Sequence, residues 1–142
     1  VLIGDYIRMV NIHRADFSKF LNILSTTENL PLVYHCAAGK DRTGMATVLL
    51  LVALGAGMEA IWKDYMATND FCVISTEKII SKVKKSGLNG DLLRPLLEVR
   101  EEYLNAALAE IDTQFGGLEN YVVNVLNADV AGLREKYLEI YG

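Results

Sequence analysis

The sequence predicts an α/β protein, a mostly helical chain with one buried strand set into it. Three observations carry this. Pro31-Leu32-Val33-Tyr34-His35 is a short apolar run with no helical polar face, opened by proline and rich in strand formers. A tight turn of small residues, Cys36 to Arg42, follows it. The uncharged segment Thr43 to Leu54 then reads as a core helix stopped by Gly55-Ala56-Gly57. The 142 residues suit one domain, 51% apolar and 23% charged with two prolines, which excludes disordered, collagenous and low-complexity classes.

Along the chain, the N-terminal apolar stretch carries Asp5 and Arg8 and so does not read as a signal peptide. Starting on Val1 suggests a processed or truncated chain. Phe17, Phe20, Leu21 and Leu24 recur at helical spacing behind Asp16, a candidate N-cap, and Thr26 to Asn29 break that helix. After the strand, the loop and the core helix, Met58 to Asn69 forms another helix. Ser75 or Thr76 caps a short one through Lys85, ended by Ser86-Gly87-Leu88-Asn89-Gly90. Pro95 suits a first helical turn, and Leu96, Val99, Tyr103, Leu104, Ala107, Leu108, Ile111 and Phe115 trace one face of a long helix closed by Gly116-Gly117. Helices near Leu118–Leu126 and Asp129–Tyr141 complete the chain.

The charge balance, 14 basic against 18 acidic residues, gives −4, so no global basic field exists to hold nucleic acid or an anionic membrane, and any anion must be held locally. The longest uncharged stretch, Thr43 to Met58, is 16 residues. That falls short of the roughly 20 a membrane span needs. Two cysteines make no disulfide scaffold, two histidines leave little for a metal cage, and neither a metal nor a cofactor is expected. The cysteine usage fits a reducing compartment, although a cytoplasmic and a secreted location are both compatible with this chain.

The chemistry concentrates in His35-Cys36-Ala37-Ala38-Gly39-Lys40-Asp41-Arg42-Thr43-Gly44. A loop entering a helix aims successive backbone N–H groups and the positive helix end at its centre, which suits a phosphate-sized oxyanion. Five residues between Cys36 and Arg42 let the backbone encircle three phosphoryl oxygens, with the Arg42 fork gripping two and the sulfur in line with phosphorus. Ala37, Ala38 and Gly39 are small enough for close approach. Beside Lys40, Arg42 and the helix end, the Cys36 thiol is expected within about 3.5–7.5. A bare Cys-x5-Arg arises by chance in about one chain in twelve of this composition, and requiring Gly39, Thr43 and Gly44 as well takes that to roughly 10⁻⁵.

These residues resemble the signature of cysteine-dependent protein tyrosine phosphatases. The form HCAAGKDRTG is similar to the bacterial and fungal tyrosine phosphatase-like family of mycobacterial and Listeria type, whose members act on phosphoproteins and phosphoinositides. Asp64-Tyr65-Met66-Ala67-Thr68-Asn69, Tyr103-Leu104 and Phe115-Gly116-Gly117-Leu118-Glu119-Asn120-Tyr121 resemble further parts of that family, so residues 30–141 are covered. The resemblance implies hydrolysis of phosphate monoesters through a phosphocysteine, with tyrosine or dual specificity. Phosphoprotein or phosphoinositide would be the substrate, and neither nucleic acid nor a transmembrane segment would be involved. It also implies a fold whose loop ends a central, mostly parallel sheet. Because few residues precede Cys36, residues 1–142 are expected to be one phosphatase domain truncated at its N-terminus, its sheet completed by a missing segment or a partner chain.

Under that resemblance Cys36 is the nucleophile, Arg42 the phosphate clamp, and Ala37, Ala38, Gly39, Lys40 and Asp41 complete the phosphate loop. Thr43, which can also cap the helix, stabilises the leaving thiolate. His35 orients the loop and Lys40 adds a cation. Asp41 is the general acid and then base, with Asp64 in reserve. Its neighbours Lys40 and Arg42 favour the carboxylate, whereas a bound phosphate dianion favours the acid. Cys72 reads as core, and the lysines at 78–85 as a solvated face where the family carries a helical lid, a second role being attraction of acidic substrates. A Walker loop is excluded because Asp41 follows Gly39-Lys40 and Tyr34 stands five before Gly39. The Gly-Lys-Asp-Arg-Thr-Gly continuation disfavours rhodanese and arsenate reductase loops. The remaining alternative is a phosphate-binding module or fragment in which catalysis is impaired.

Overall fold

The computed structural model describes residues 1–139. Amphipathic spacing builds α1 (Leu2–Ile12), whose Tyr6, Met9 and Val10 are buried. A one-residue break at His13 separates it from α2 (Arg14–Thr26), which buries Phe17, Leu21 and Leu24. Asp16 lies inside the first turn of α2, and the N-cap is His13. The core helix α3 (Asp41–Leu54) begins two residues earlier than its apolar run and ends on Gly55 in the left-handed conformation. It buries residues on several sides, Met45, Ala46, Val48, Leu49 and Ala53, and packs against α2 and the helices that follow.

The two helices expected from Met58 to Lys85 are one, α4 (Met58–Lys85), 28 residues long. No glycine or proline interrupts it, so Ser75 and Thr76 continue the helix: Ser75 Oγ donates to the Cys72 carbonyl, and Thr76 is buried. A 3₁₀ turn, Gly90–Leu93, folds back on α4 at a position where a Cβ on Gly90 would stand 2.5 Å from the Ile80 carbonyl oxygen. The long helix expected from Pro95 is divided into α5 (Arg94–Leu97) and α6 (Glu101–Phe115). Asn69 holds the extended residues between them: its amide donates to the Val99 carbonyl and its oxygen accepts the Val99 N–H, both at 2.9 Å.

The short α7 (Leu118–Asn120) runs into a π-helical turn, Tyr121–Val125, and α8 (Val130–Tyr137) is capped by Asp129. The end of the helix expected to reach Tyr141 lies outside the described residues. Long-range polar contacts join the ends of the chain: Tyr121 Oη donates to the Val10 carbonyl at 2.6 Å, and Arg134 Nε to the Ala53 carbonyl at 2.9 Å. The most extensive helix pair is α1 with α6. No helix among the described residues is long and apolar enough to cross a membrane.

The expected α/β class is corrected. Among the described residues there is no strand, and the two segments flanking the site that a sheet would draw on, 1–35 and 70–95, are helical apart from short connections. Residues 31–35 have no strand partner; Leu32 and Tyr34 pack partly into the helices while Val33 is 90% exposed. A short run of strand formers behind a proline was enough to imitate a strand, but a sheet needs a second backbone to satisfy its N–H and C=O groups. The central parallel sheet, and the segment or partner chain invoked to complete it, find no strand here to extend.

Candidate active site

The extended residues 31–35 deliver Cys36 to the start of α3 at a fixed height. Tyr34 is the anchor: its ring meets Phe20 with centroids 4.8 Å apart, and its hydroxyl shares a 2.8 Å hydrogen bond with Thr47 Oγ1, in the second turn of α3. The backbone then reverses through Gly39, whose φ of +67° is one L side chains rarely adopt. Lys40 is the N-cap of α3 and its carbonyl accepts the Gly44 N–H at 2.8 Å. The N–H groups of the first helical turn therefore point at the loop centre without helical partners.

Cys36 shows what that geometry does to a thiol. Burial pushes it up, but the Thr43 hydroxyl and the backbone N–H groups of Thr43, Gly39 and Lys40 outweigh burial and bring it down from 9.0 to about 7. This falls within the range expected from the sequence, although the donors are N–H and O–H groups and not the Lys40 and Arg42 side chains. Thr43 Oγ1 is itself buried and has no conventional hydrogen-bond partner, which leaves it available to the sulfur.

Arg42 is exposed and forms no ion pair with any described residue. It lines two cavities. One, about 330 Å³, joins Arg42 to Cys36, Thr43 and His35, with His13 and Tyr34 on its walls. The other, about 350 Å³, has Asp41 together with Arg8, Asp5 and His13. The thiol, its hydroxyl partner and a guanidinium with no ion pair among the described residues thus meet in one recess open to solvent, and Ala37, Ala38 and Gly39 are exposed.

Asp41 belongs to a chain of hydrogen bonds. Tyr65 Oη donates to Tyr6 Oη at 2.9 Å, Tyr6 Oη donates to Asp41 Oδ1 at 2.9 Å, and Lys40 Nζ lies 2.7 Å from Asp41 Oδ2. Burial holds the Tyr6 hydroxyl well above its usual range and pushes Tyr65 up to about 12, so both remain donors at neutral pH. Lys40, expected to contribute a cation to the pocket, is 5% exposed and directs its charge at Asp41. Asp41 lines the second cavity and not the one that holds Cys36.

The other sequence-predicted residues separate. His35 is exposed and donates from Nδ1 to the Cys36 carbonyl at 3.2 Å. Asp64 is exposed on α4 and lines neither cavity. Cys36 and Cys72 are both free, and Cys72 is half-buried on α4. Sequence reasoning passed over Tyr6, Tyr65 and the His13–Asp16 pair, whose Nδ1 and Oδ2 are 3.0 Å apart. Leu2, Tyr6, Met9 and Val10, recurring at helical spacing, were the available signal for α1 and with it Tyr6. Among the described residues no group of three His, Cys, Asp or Glu side chains could hold a metal ion.

Comparison with known proteins shows the family. A sequence model described as tyrosine phosphatase family matches residues 2–139. A Cupriavidus necator protein provisionally named a tyrosine-protein phosphatase is 40% identical over 126 residues, 89% of this chain and 45% of the relative. The triple specificity protein phosphatase PtpB of Mycobacterium tuberculosis is 35% identical over 104 residues, 65% of this chain and 37% of the relative. The chain spans less than half the length of these curated relatives.

Proposed function

The chain belongs to the tyrosine phosphatase family, and from that premise we propose that residues 1–142 belong to one phosphatase domain that hydrolyses phosphate monoesters through a phosphocysteine. The observation that carries this reading is the Cys36 thiol, held at about 7 in a recess it shares with Arg42, which has no ion pair among the described residues. At neutral pH a large share of such a thiol is thiolate, the nucleophilic form.

In the first step the Cys36 thiolate attacks phosphorus, an S–P bond forms, and the ester P–O bond breaks. Arg42 and the loop N–H groups of Ala37, Ala38, Gly39 and Lys40 stabilise charge on the equatorial oxygens. Asp41 gives a proton to the leaving oxygen. In the second step water attacks phosphorus, Asp41 takes a proton from it, and the S–P bond breaks to return thiolate, which the Thr43 hydroxyl stabilises. To act as an acid, Asp41 must carry its proton on an oxygen that now accepts from Tyr6 or Lys40. The phosphate dianion beside Arg42 supplies the opposing charge that favours this. His35 acts through the Cys36 carbonyl as a positioning residue.

Phosphotyrosine is the primary substrate. Phosphoserine, phosphothreonine and phosphoinositides follow from the resemblance of the HCAAGKDRTG loop, and a relative named for triple specificity supports more than one substrate class. The test is turnover of p-nitrophenyl phosphate. It is expected to persist with chelator, to stop with vanadate and to vanish in Cys36→Ser. Wild-type turnover in that variant would overturn the mechanism, whereas saturable phosphopeptide binding without any turnover would make the protein a binding module.

A further inference from the structure

The second half of α4 leaves one face uncovered. Thr76 and Ile80 turn inward and are buried, but Phe71 is 87% and Ile74 80% exposed, two large apolar side chains within one turn. Further along the same face stand Lys78, Lys82 and Lys85, spaced four and three residues apart, so that Phe71, Ile74 and the three lysines form one stripe. None of these lysines is ion-paired with a described residue. Nearby acids are engaged elsewhere: Glu77 and Asp91 pair with Arg94, and Asp91 also with Lys84. Asp70, exposed and four residues before Ile74, borders the apolar end of the stripe, one acid against three lysines. A shallow groove of about 470 Å³ follows the face, lined by Lys78, Ile79, Lys82 and Lys85 among others.

We propose that this face of α4 docks on an anionic membrane surface. Phe71 and Ile74 enter the boundary between headgroups and acyl chains, and the lysines lay their stems along it and reach lipid phosphates. The pairing of exposed apolar anchors with an unpaired basic row selects this occupant. A purely acidic polypeptide would satisfy the lysines and leave Phe71 and Ile74 in water, and a second copy of the chain would bring lysine against lysine when packed parallel and lysines against Phe71 and Ile74 when packed antiparallel. The row is local, which is how a chain of net charge −4 can meet an anionic surface.

The test is flotation of the full chain with phosphatidylcholine vesicles, plain or doped with phosphatidylserine. Neither lipid carries a phosphate monoester, so docking is read apart from hydrolysis, and Cys36→Ser is expected to dock like the unsubstituted chain. Binding is expected on doped vesicles only and should weaken with salt. It should fall about a hundredfold in K78Q/K82Q/K85Q and at least tenfold in F71S/I74S, while both variants keep their helical circular dichroism. Four results would overturn the proposal: no binding to doped vesicles, equal binding to plain ones, affinity unchanged in either variant, or self-association through this face in place of vesicle binding.

Discussion

At Cys36 two opposed effects meet, burial that disfavours a thiolate and a set of short-range donors that favour it, and the donors prevail. Thr43 is the donor whose removal is cleanest, because its buried hydroxyl has no other partner to disturb. Since the thiolate is the reactive form, kcat/KM is expected to rise with pH through about 7. In Thr43→Ala the thiol climbs back toward 9.0 and the rising limb moves to higher pH, costing about tenfold in rate below the limb for each unit moved. Thr43→Ser should restore it. An unmoved limb in Thr43→Ala, measured on p-nitrophenyl phosphate, would remove the hydroxyl from the account. Cys36, Arg42 and Thr43 were legible in the sequence because their chemistry is contiguous there. Tyr6 was not, since 35 residues separate it from the Asp41 it holds and only helix packing brings them together.

Among the elements, the same reasoning explains where sequence patterns succeeded and failed. The break after Leu54 was legible because Gly55 can adopt a left-handed cap, and the Phe115 end was legible because Gly116 does the same. The division expected within α4 rested on Ser75 and Thr76 as caps, and capping residues without a breaker do not end a helix already propagating. The opposite error fell between α5 and α6, where an unbroken apolar stripe hid an extended link that Asn69 secures through its side chain. The return of the chain onto α4 depends on the absence of a side chain at Gly90. In Gly90→Ala a methyl would press on the Ile80 carbonyl, and a cost of about 1–3 kcal/mol is expected. Amide exchange should quicken through the end of α4 and through α5 while the α1–α6 pair stays protected. Unchanged exchange at the end of α4 would show that this contact contributes little.

For the molecule as a whole, the sheet was the largest misreading. The apolar run Leu32-Val33-Tyr34 offers side chains to a core, and helices receive Leu32 and Tyr34 as well as a sheet would. The described residues organise instead around α3, which carries the site at its N-terminus and core side chains along its length. Leu49 is fully buried there, and Leu49→Ala is expected to cost about 2–5 kcal/mol of the roughly 5–15 kcal/mol typical of a domain. Loss of thiol reactivity at Cys36 and loss of helical signal should then follow one melting curve; separate curves would show that the loop is held independently of the core.

The uninterrupted α4 has a mechanical consequence. Twenty-eight residues make a rod of about 42 Å, seated in the core at Ile61 and Tyr65, tied at Asn69 to the link between α5 and α6, and covered again at Thr76 and Ile80. One stiff element therefore fixes the distance between the Tyr65 hydroxyl, which donates to Tyr6, and the lysine row at its other end.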